Sequence, residues 1–328
     1  MAFYPPEEIA KLRENVRRGI GKAKAPKSSG KWTTDFSLHD KLGIPEPDIM
    51  TAEELTQMLQ KMSSTPSRDK QRERDIWLPY IDAEIDRVKS QVKDMDEKPE
   101  LVFSILGGAS ASGKSTWRKR ADERVSRTSF TEYENFILDS LLGTGVIVDP
   151  DDAKLMIPEY QAHLDAQIPG GASFVHEESR NIAEALRERA LAAQLPITYD
   201  TSGQFNNGSG TLAEMKRNGY KNKAIYFLAD TETLVARAKK REEESGRGVP
   251  SSIVRTIANN LIGIIPNLWD GGYLDELMII DTTDMGSPKV LINLVGPLTT
   301  AGPSDIGLLK TYFGERNQWW LNYPRKVQ

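Results

Sequence analysis

The chain has 328 residues, enough for one large domain or two smaller ones with ample core. Its 43 Lys and Arg against 47 Asp and Glu leave a net charge of -4, no global sign of a nucleic-acid binder, and its 38% hydrophobic content is that of a globular protein. The absence of cysteine excludes disulfides and thiolate catalysis, and no apolar run approaches the roughly 20 residues that cross a bilayer.

The opening residues, MAFYPPEEIAKLREN, carry Glu7 and Glu8 and lack the apolar stretch of a secretory leader, so a cytoplasmic protein is expected. Residues 1–98 contain no strand-like run and read as a helical N-terminal region. Pro5 and Pro6 suit a first helical turn, followed by Ile9, Leu12, Val16 and Ile20 at helical spacing. Thr51 with Glu54 forms a capping box ahead of Leu55, Met58, Leu59 and Met62. Ser67 opens a longer helical pattern through Ile76, Ile81, Ile85, Val88 and Val92, with a kink expected at Pro79. The basic tract 11–31 reads as a solvated arm, with contact to nucleic acid or an acidic partner as the sharper alternative.

From Leu101 the pattern changes. LVFSIL (101–106), VIVD (146–149), PITYD (196–200), KAIYFLAD (223–230) and ELMIID (276–281) read as strands, with helices at 179–193 and 231–244 between them. Near-continuous apolar strands separated by helices predict an α/β core over 99–286, a parallel sheet covered on both faces. The remaining 287–328, with KVLINLVG and a terminal WWLNYP, is expected to pack on that core as a C-terminal extension.

Just after the first strand stand Gly108, Ala109, Ser110, Ala111, Ser112, Gly113, Lys114 and Ser115, then Thr116. This is the P-loop pattern G-x-x-x-x-G-K-[ST], in the strand-to-helix context that it requires. Glycines let successive backbone N–H groups turn around an anion, and the helix N-terminus adds partial positive charge. Lys114 is placed to reach the β- and γ-phosphates of a nucleoside triphosphate, and the Ser115 hydroxyl to ligate Mg²⁺. ATP and Mg²⁺ are therefore the expected cofactors.

The class of machine follows from what is missing. Asn222-Lys223-Ala224-Ile225 lacks the aspartate of a GTPase base-reading motif. VIVD continues into Pro-Asp, and PITYD into Thr-Ser, so neither carries the Asp-Glu of a motor ATPase. A kinase acting on a small molecule or a nucleic acid remains. Such an enzyme needs a carboxylate beyond the strand ends to accept the proton of the attacking hydroxyl. Asp151 is the chosen base; the plainer alternative is that Asp149, Asp151 or Asp152 caps a helix running through Lys154 and Leu155. Asp200 ends another strand and either holds Mg²⁺ through water or fixes the loop 201–210. In AKKREEESGRGVP (238–250) a charged helix breaks at Gly246, so Arg241 and Arg247 are candidates for a lid that closes on the γ-phosphoryl group.

Together these motifs resemble the zeta toxin family of P-loop kinases. The resemblance rests on the P-loop, VIVDPDDAKLMIPEY (146–160), HEESRNIAEAL (176–186), YDTSG (199–203) and KREEESGRGVP (240–250), in the family's order over about 101–285. It implies a P-loop kinase that uses ATP and Mg²⁺ to phosphorylate UDP-N-acetylglucosamine at the amino sugar's 3′-hydroxyl, restrained by a small helical antitoxin. By motif it implies that Lys114 and Ser115 serve the phosphates and Mg²⁺, that Asp151 is the general base, and that Arg241 and Arg247 clamp the phosphates. Asp200 and Thr201 then face the acceptor, with Glu178 or Glu184 where a helix glutamate meets the sugar nucleotide. Three features depart from the family pattern. Gln204 follows the Asp200-Thr201-Ser202-Gly203 turn where a basic residue is usual, the segment between Lys114 and Asp151 is long, and residues 1–98 precede the kinase core. The last suggests a built-in brake or an adaptor to a partner protein. The competing reading is a kinase for a nucleic-acid or nucleoside hydroxyl, served by the tract 11–31.

Overall fold

The computed structural model describes residues 70–93, 95, 99–122, 145–157, 160, 175–205, 210–245, 249–286, 288–295, 298–301 and 306–313. The two helices expected before Ser67, the basic tract 11–31, the long segment after the P-loop helix and Arg247 lie outside these residues. Helix α1 (Lys70–Lys93) is followed by β1 (Val102–Gly107), α2 (Lys114–Asp122), β2 (Val146–Val148) and α3 (Pro150–Lys154). Then come α4 (His176–Ala192), β3 (Ile197–Asp200), α5 (Thr211–Arg217), β4 (Lys221–Leu228) and α6 (Thr231–Ser245). The described chain closes with α7 (Ser251–Asp270), β5 (Glu276–Asp281), β6 (Lys289–Val295), β7 (Leu298–Ala301) and α8 (Ile306–Phe313).

The strands form one sheet in the order β2-β3-β1-β4-β5-β6-β7. All five expected strands are present and run parallel to one another. Strands β6 and β7 then add antiparallel beyond β5, so the sheet is mixed rather than wholly parallel. Strand β1 lies third from the β2 edge, flanked by β3 and β4, and buries every residue from Phe103 to Gly107. Burial on both faces is why VFSILG reads as an unbroken apolar run.

Helix α1 is part of this core. Tyr80, Ile81, Ile85 and Val88, spaced so that they share one face, pack with Val146, Val148, Ile182 and Leu186. Among them Glu84 is buried and accepts a hydrogen bond from the Ile147 amide at 2.8 Å. Among the described residues β2 is the sheet's edge, so Glu84 satisfies a backbone donor that no described strand meets. Arg87 pairs with Glu84 at 2.6 Å and donates to the Gly145 carbonyl, which clasps the same edge. The helix continues through Pro79.

Helix α7, not anticipated from the sequence, is the most apolar long helix and buries Ile253, Val254, Leu261, Ile265 and Leu268. Leu291, Ile292, Leu294, Leu309 and Phe313 of the tail lie in the same core. The parallel strands all end on one side, and the P-loop, Asp149, Asp200 and the turn after β5 meet there.

Candidate functional site

Strand β1 runs into the P-loop, 108–113, and the loop into α2. Gly108 has φ +145°, Ala111 φ +65° and Gly113 φ +98°, a curled backbone in which a side chain is unwelcome. A Cβ on Gly108 would lie 2.6 Å from the Phe227 carbonyl oxygen, so the first glycine is required by packing as well as by conformation. The Thr282 hydroxyl, just beyond β5, meets the Ser112 carbonyl at 2.7 Å, and Met285 covers Gly113. The Ser112 hydroxyl is buried within the curl and has no hydrogen-bond partner.

Lys114 bends back into the loop. Its ammonium donates to the Gly108 carbonyl at 2.6 Å and the Ala109 carbonyl at 3.3 Å. Burial lowers its pKa, against the opposing pull of Asp200, Asp151 and Asp149. Ser115 and Thr116 are exposed at the start of α2.

The Asp149-Pro150-Asp151 string divides its duties. Asp149 is the helix cap: its Oδ1 accepts from the Asp151 amide at 2.8 Å, with Pro150 in the first turn. Asp151 does not cap. Its side chain is 45% exposed and pairs with the Lys154 ammonium at 2.6 Å. Asp149 is therefore the cap of this helix, and Asp151 projects toward Lys154.

Arg118, one helical turn beyond Lys114, is buried between three acids. Its Nη1 donates to Asp149 Oδ2 at 2.6 Å and to Asp200 Oδ2 at 3.1 Å, while Nη2 lies 3.6 Å from Asp152 Oδ1. These carboxylates hold the guanidinium charged despite the cost of burial. Asp200 is pushed up to about 7, first by burial and then by Asp149, with Arg118 and Lys114 pulling the other way. The Thr201 amide bonds to the Leu106 carbonyl at 3.1 Å and sets the following turn against the P-loop. Gly203, with φ +76°, receives the Tyr226 hydroxyl on its carbonyl, and Gln204 accepts from Asn260 of α7 at 2.9 Å.

Arg241 on α6 donates to the Ser110 hydroxyl at 2.8 Å, so α6 touches the P-loop. The two candidate glutamates of α4 separate. Glu178 is buried near the start of the helix, where the Trp77 indole approaches it at 3.4 Å. Glu184, two turns further, takes the Tyr199 hydroxyl and Arg187, which in turn reaches Glu214 of α5. His176 opens α4 and is pushed down to about 4 by burial and the neighbouring Lys154 and Arg180, against Asp151. Arg118, Lys154 and His176 were not singled out in the sequence. Arg118 sits at the i+4 position from Lys114, yet nothing in WRKRADER distinguishes it from its charged neighbours.

Among the described residues no helix is long and apolar enough to cross a membrane. The family model described as Zeta toxin matches residues 82–287. The crystal structure of the native AvrRxo1-ORF1:-ORF2 complex is similar at 14% identity, with 82% of this chain and 79% of that chain covered and a TM-score of 0.54. The same complex with ATP gives 14%, 82%, 79% and 0.53. A structure from the PezAT chromosomal toxin-antitoxin system of Streptococcus pneumoniae is 14% identical, with 84% and 95% covered and a TM-score of 0.47. At 14% identity the likeness to the AvrRxo1-ORF1:-ORF2 structures is one of fold. No curated protein matches the chain.

Proposed function

The chain belongs to the zeta toxin family, and from that premise we propose that it is a kinase that moves the γ-phosphoryl group of ATP to a hydroxyl of a sugar nucleotide, UDP-N-acetylglucosamine being the favoured acceptor. One observation carries the reading: a half-exposed carboxylate, Asp151, has its charge felt by the cation of an anion-binding loop, while the neighbouring Asp149 and Asp200 are buried in ion pairs with Arg118. The loop suits a triphosphate, because it presents a curled backbone, a buried Ser112 hydroxyl with no partner and a lysine resting on carbonyls. The related complex solved with ATP supports the nucleotide.

Lys114 leaves its two carbonyl partners for the β- and γ-phosphates. Asp151 accepts the proton of the acceptor hydroxyl as that oxygen attacks the γ-phosphorus and the bond to the β-γ bridging oxygen breaks, leaving ADP. Arg241 offsets charge on the phosphoryl oxygens, joined by Arg247 when the lid closes. Ser115, and Asp200 through water, are the groups suited to Mg²⁺, which when bound neutralises charge on the phosphates. Thr201 and Glu178 line the acceptor side, the latter in the first turn of the helix whose His176 lies close to Asp151. Glu184, held by Tyr199 and Arg187, supports that side from behind.

The partner is proposed on a similar footing. AvrRxo1-ORF1 was solved in complex with ORF2, and the family is one of toxins; residues 1–69 are the segment available as a brake in cis or as an adaptor, since α1 belongs to the core. The test is γ-labelled ATP offered with UDP-sugars, nucleosides and oligonucleotides, using both the full chain and one beginning at Lys70. Label is expected on UDP-N-acetylglucosamine, with faster turnover in the shorter chain. Label on a nucleic acid alone overturns the sugar assignment, and equal rates remove the brake.

A further inference from the structure

We infer that Arg118 is a positioning residue that fixes the distance between the phosphate-gripping helix and the base-bearing turn, acting through Asp149. The inference rests on the kinase reading above and concerns a residue to which that reading gives no task. Arg118 lies on α2, one turn from Lys114, so any movement of the P-loop helix moves its guanidinium. One arm of that guanidinium takes Asp149 Oδ2 at 2.6 Å. The other oxygen of the same carboxylate takes the amide of Asp151 at 2.8 Å. Two consecutive hydrogen bonds therefore join the P-loop helix to the backbone of the proposed base. The same nitrogen also reaches Asp200 Oδ2 at the end of β3. Arg118 is 9% exposed and Asp149 5%, so the link works out of water, where a charge-assisted hydrogen bond is short and directional.

The arrangement also explains why four acids converge without hindering catalysis. Asp149, Asp152 and Asp200 share the buried arginine, whereas Asp151 pairs with Lys154 and is 45% exposed. A lysine in place of Arg118 would bring the charge but not the planar guanidinium, whose Nη1 meets Asp149 and Asp200 while Nη2 faces Asp152.

The closing experiment compares wild type, Asp149→Asn, Arg118→Gln and Arg118→Lys. Asp149→Asn keeps an oxygen for the Asp151 amide but turns an NH₂ toward Arg118, which breaks the link with little change in volume. Its kcat is expected to fall about 10²-fold while ATP affinity changes less than about threefold. Arg118→Gln is expected to do the same, with Arg118→Lys about tenfold better than the glutamine. Independently of turnover, amide hydrogen exchange over 149–152 should quicken at least tenfold in Asp149→Asn and Arg118→Gln. Wild-type exchange and kcat in a folded Asp149→Asn protein would overturn the inference, as would equal loss of ATP binding and kcat. Failure of the wild type to phosphorylate any acceptor would instead overturn the kinase reading.

Discussion

Lys114 and Asp151 are assigned to different steps, so their loss should leave different signatures. Without Lys114 the P-loop keeps its curl but loses the cation for the β- and γ-phosphates. Lys114→Ala is expected to weaken ATP binding and to cut turnover by at least 10²-fold. Asp151→Asn leaves the nucleotide site alone and removes the proton acceptor. Its kcat should fall by about 10²–10⁴ with ATP affinity nearly unchanged, measurable by equilibrium binding beside initial rates. The Asn side chain retains an oxygen for Lys154, so folding should be unaffected. A comparable loss of ATP affinity in both variants would deny Asp151 its separate role.

Elements repeat the lesson that a local signal is trusted only where burial agrees with it. Strands β1 to β5 were legible because each is an apolar run closed by turn residues. Helix α7 was not read, although Ile253, Ile257, Leu261, Ile265 and Leu268 recur at helical spacing. The pairing of β6 with β5 was not legible at all, because strand direction depends on a turn whose geometry the residues at 282–288 do not encode uniquely. The P-loop and the DPD string could be read because their backbone chemistry demands fixed spacing. Arg118 could not, because its importance comes from acids 31 and 82 residues away. Helix α1 was legible as a helix but not as part of the core, since its decisive residue is a charged one. Glu84→Ala is expected to cost about 2–3 kcal/mol, by stranding the Ile147 amide and releasing Arg87. Urea unfolding followed by circular dichroism measures this, and Glu84→Gln should recover part of the loss because it still accepts from the amide.

For the whole molecule, His176 and Asp200 make stability depend on pH in opposite senses. His176, pushed down to about 4, stays neutral in the folded protein while an unfolded chain takes up its proton near 6.5. The stability this represents is complete above about 6.5 and is lost as pH falls toward 4. Asp200, pushed up to about 7, keeps its proton in the folded state where the unfolded chain has released it near 3.8. Its contribution therefore declines as pH rises from about 4 to 7. The opposing slopes flatten the wild-type curve across that interval. Replacing His176 with asparagine should remove one slope, so the variant gains on wild type by on the order of 2 kcal/mol between pH 7.5 and 4.5, read from urea midpoints. No relative gain would show that the ring is protonated in the native protein. The clasp of Glu84 and Arg87 on the β2 edge has a consequence for assembly as well. With the Ile147 amide already taken by a carboxylate, that rung of the β2 ladder is closed to a visiting polypeptide, which disfavours strand addition on that flank.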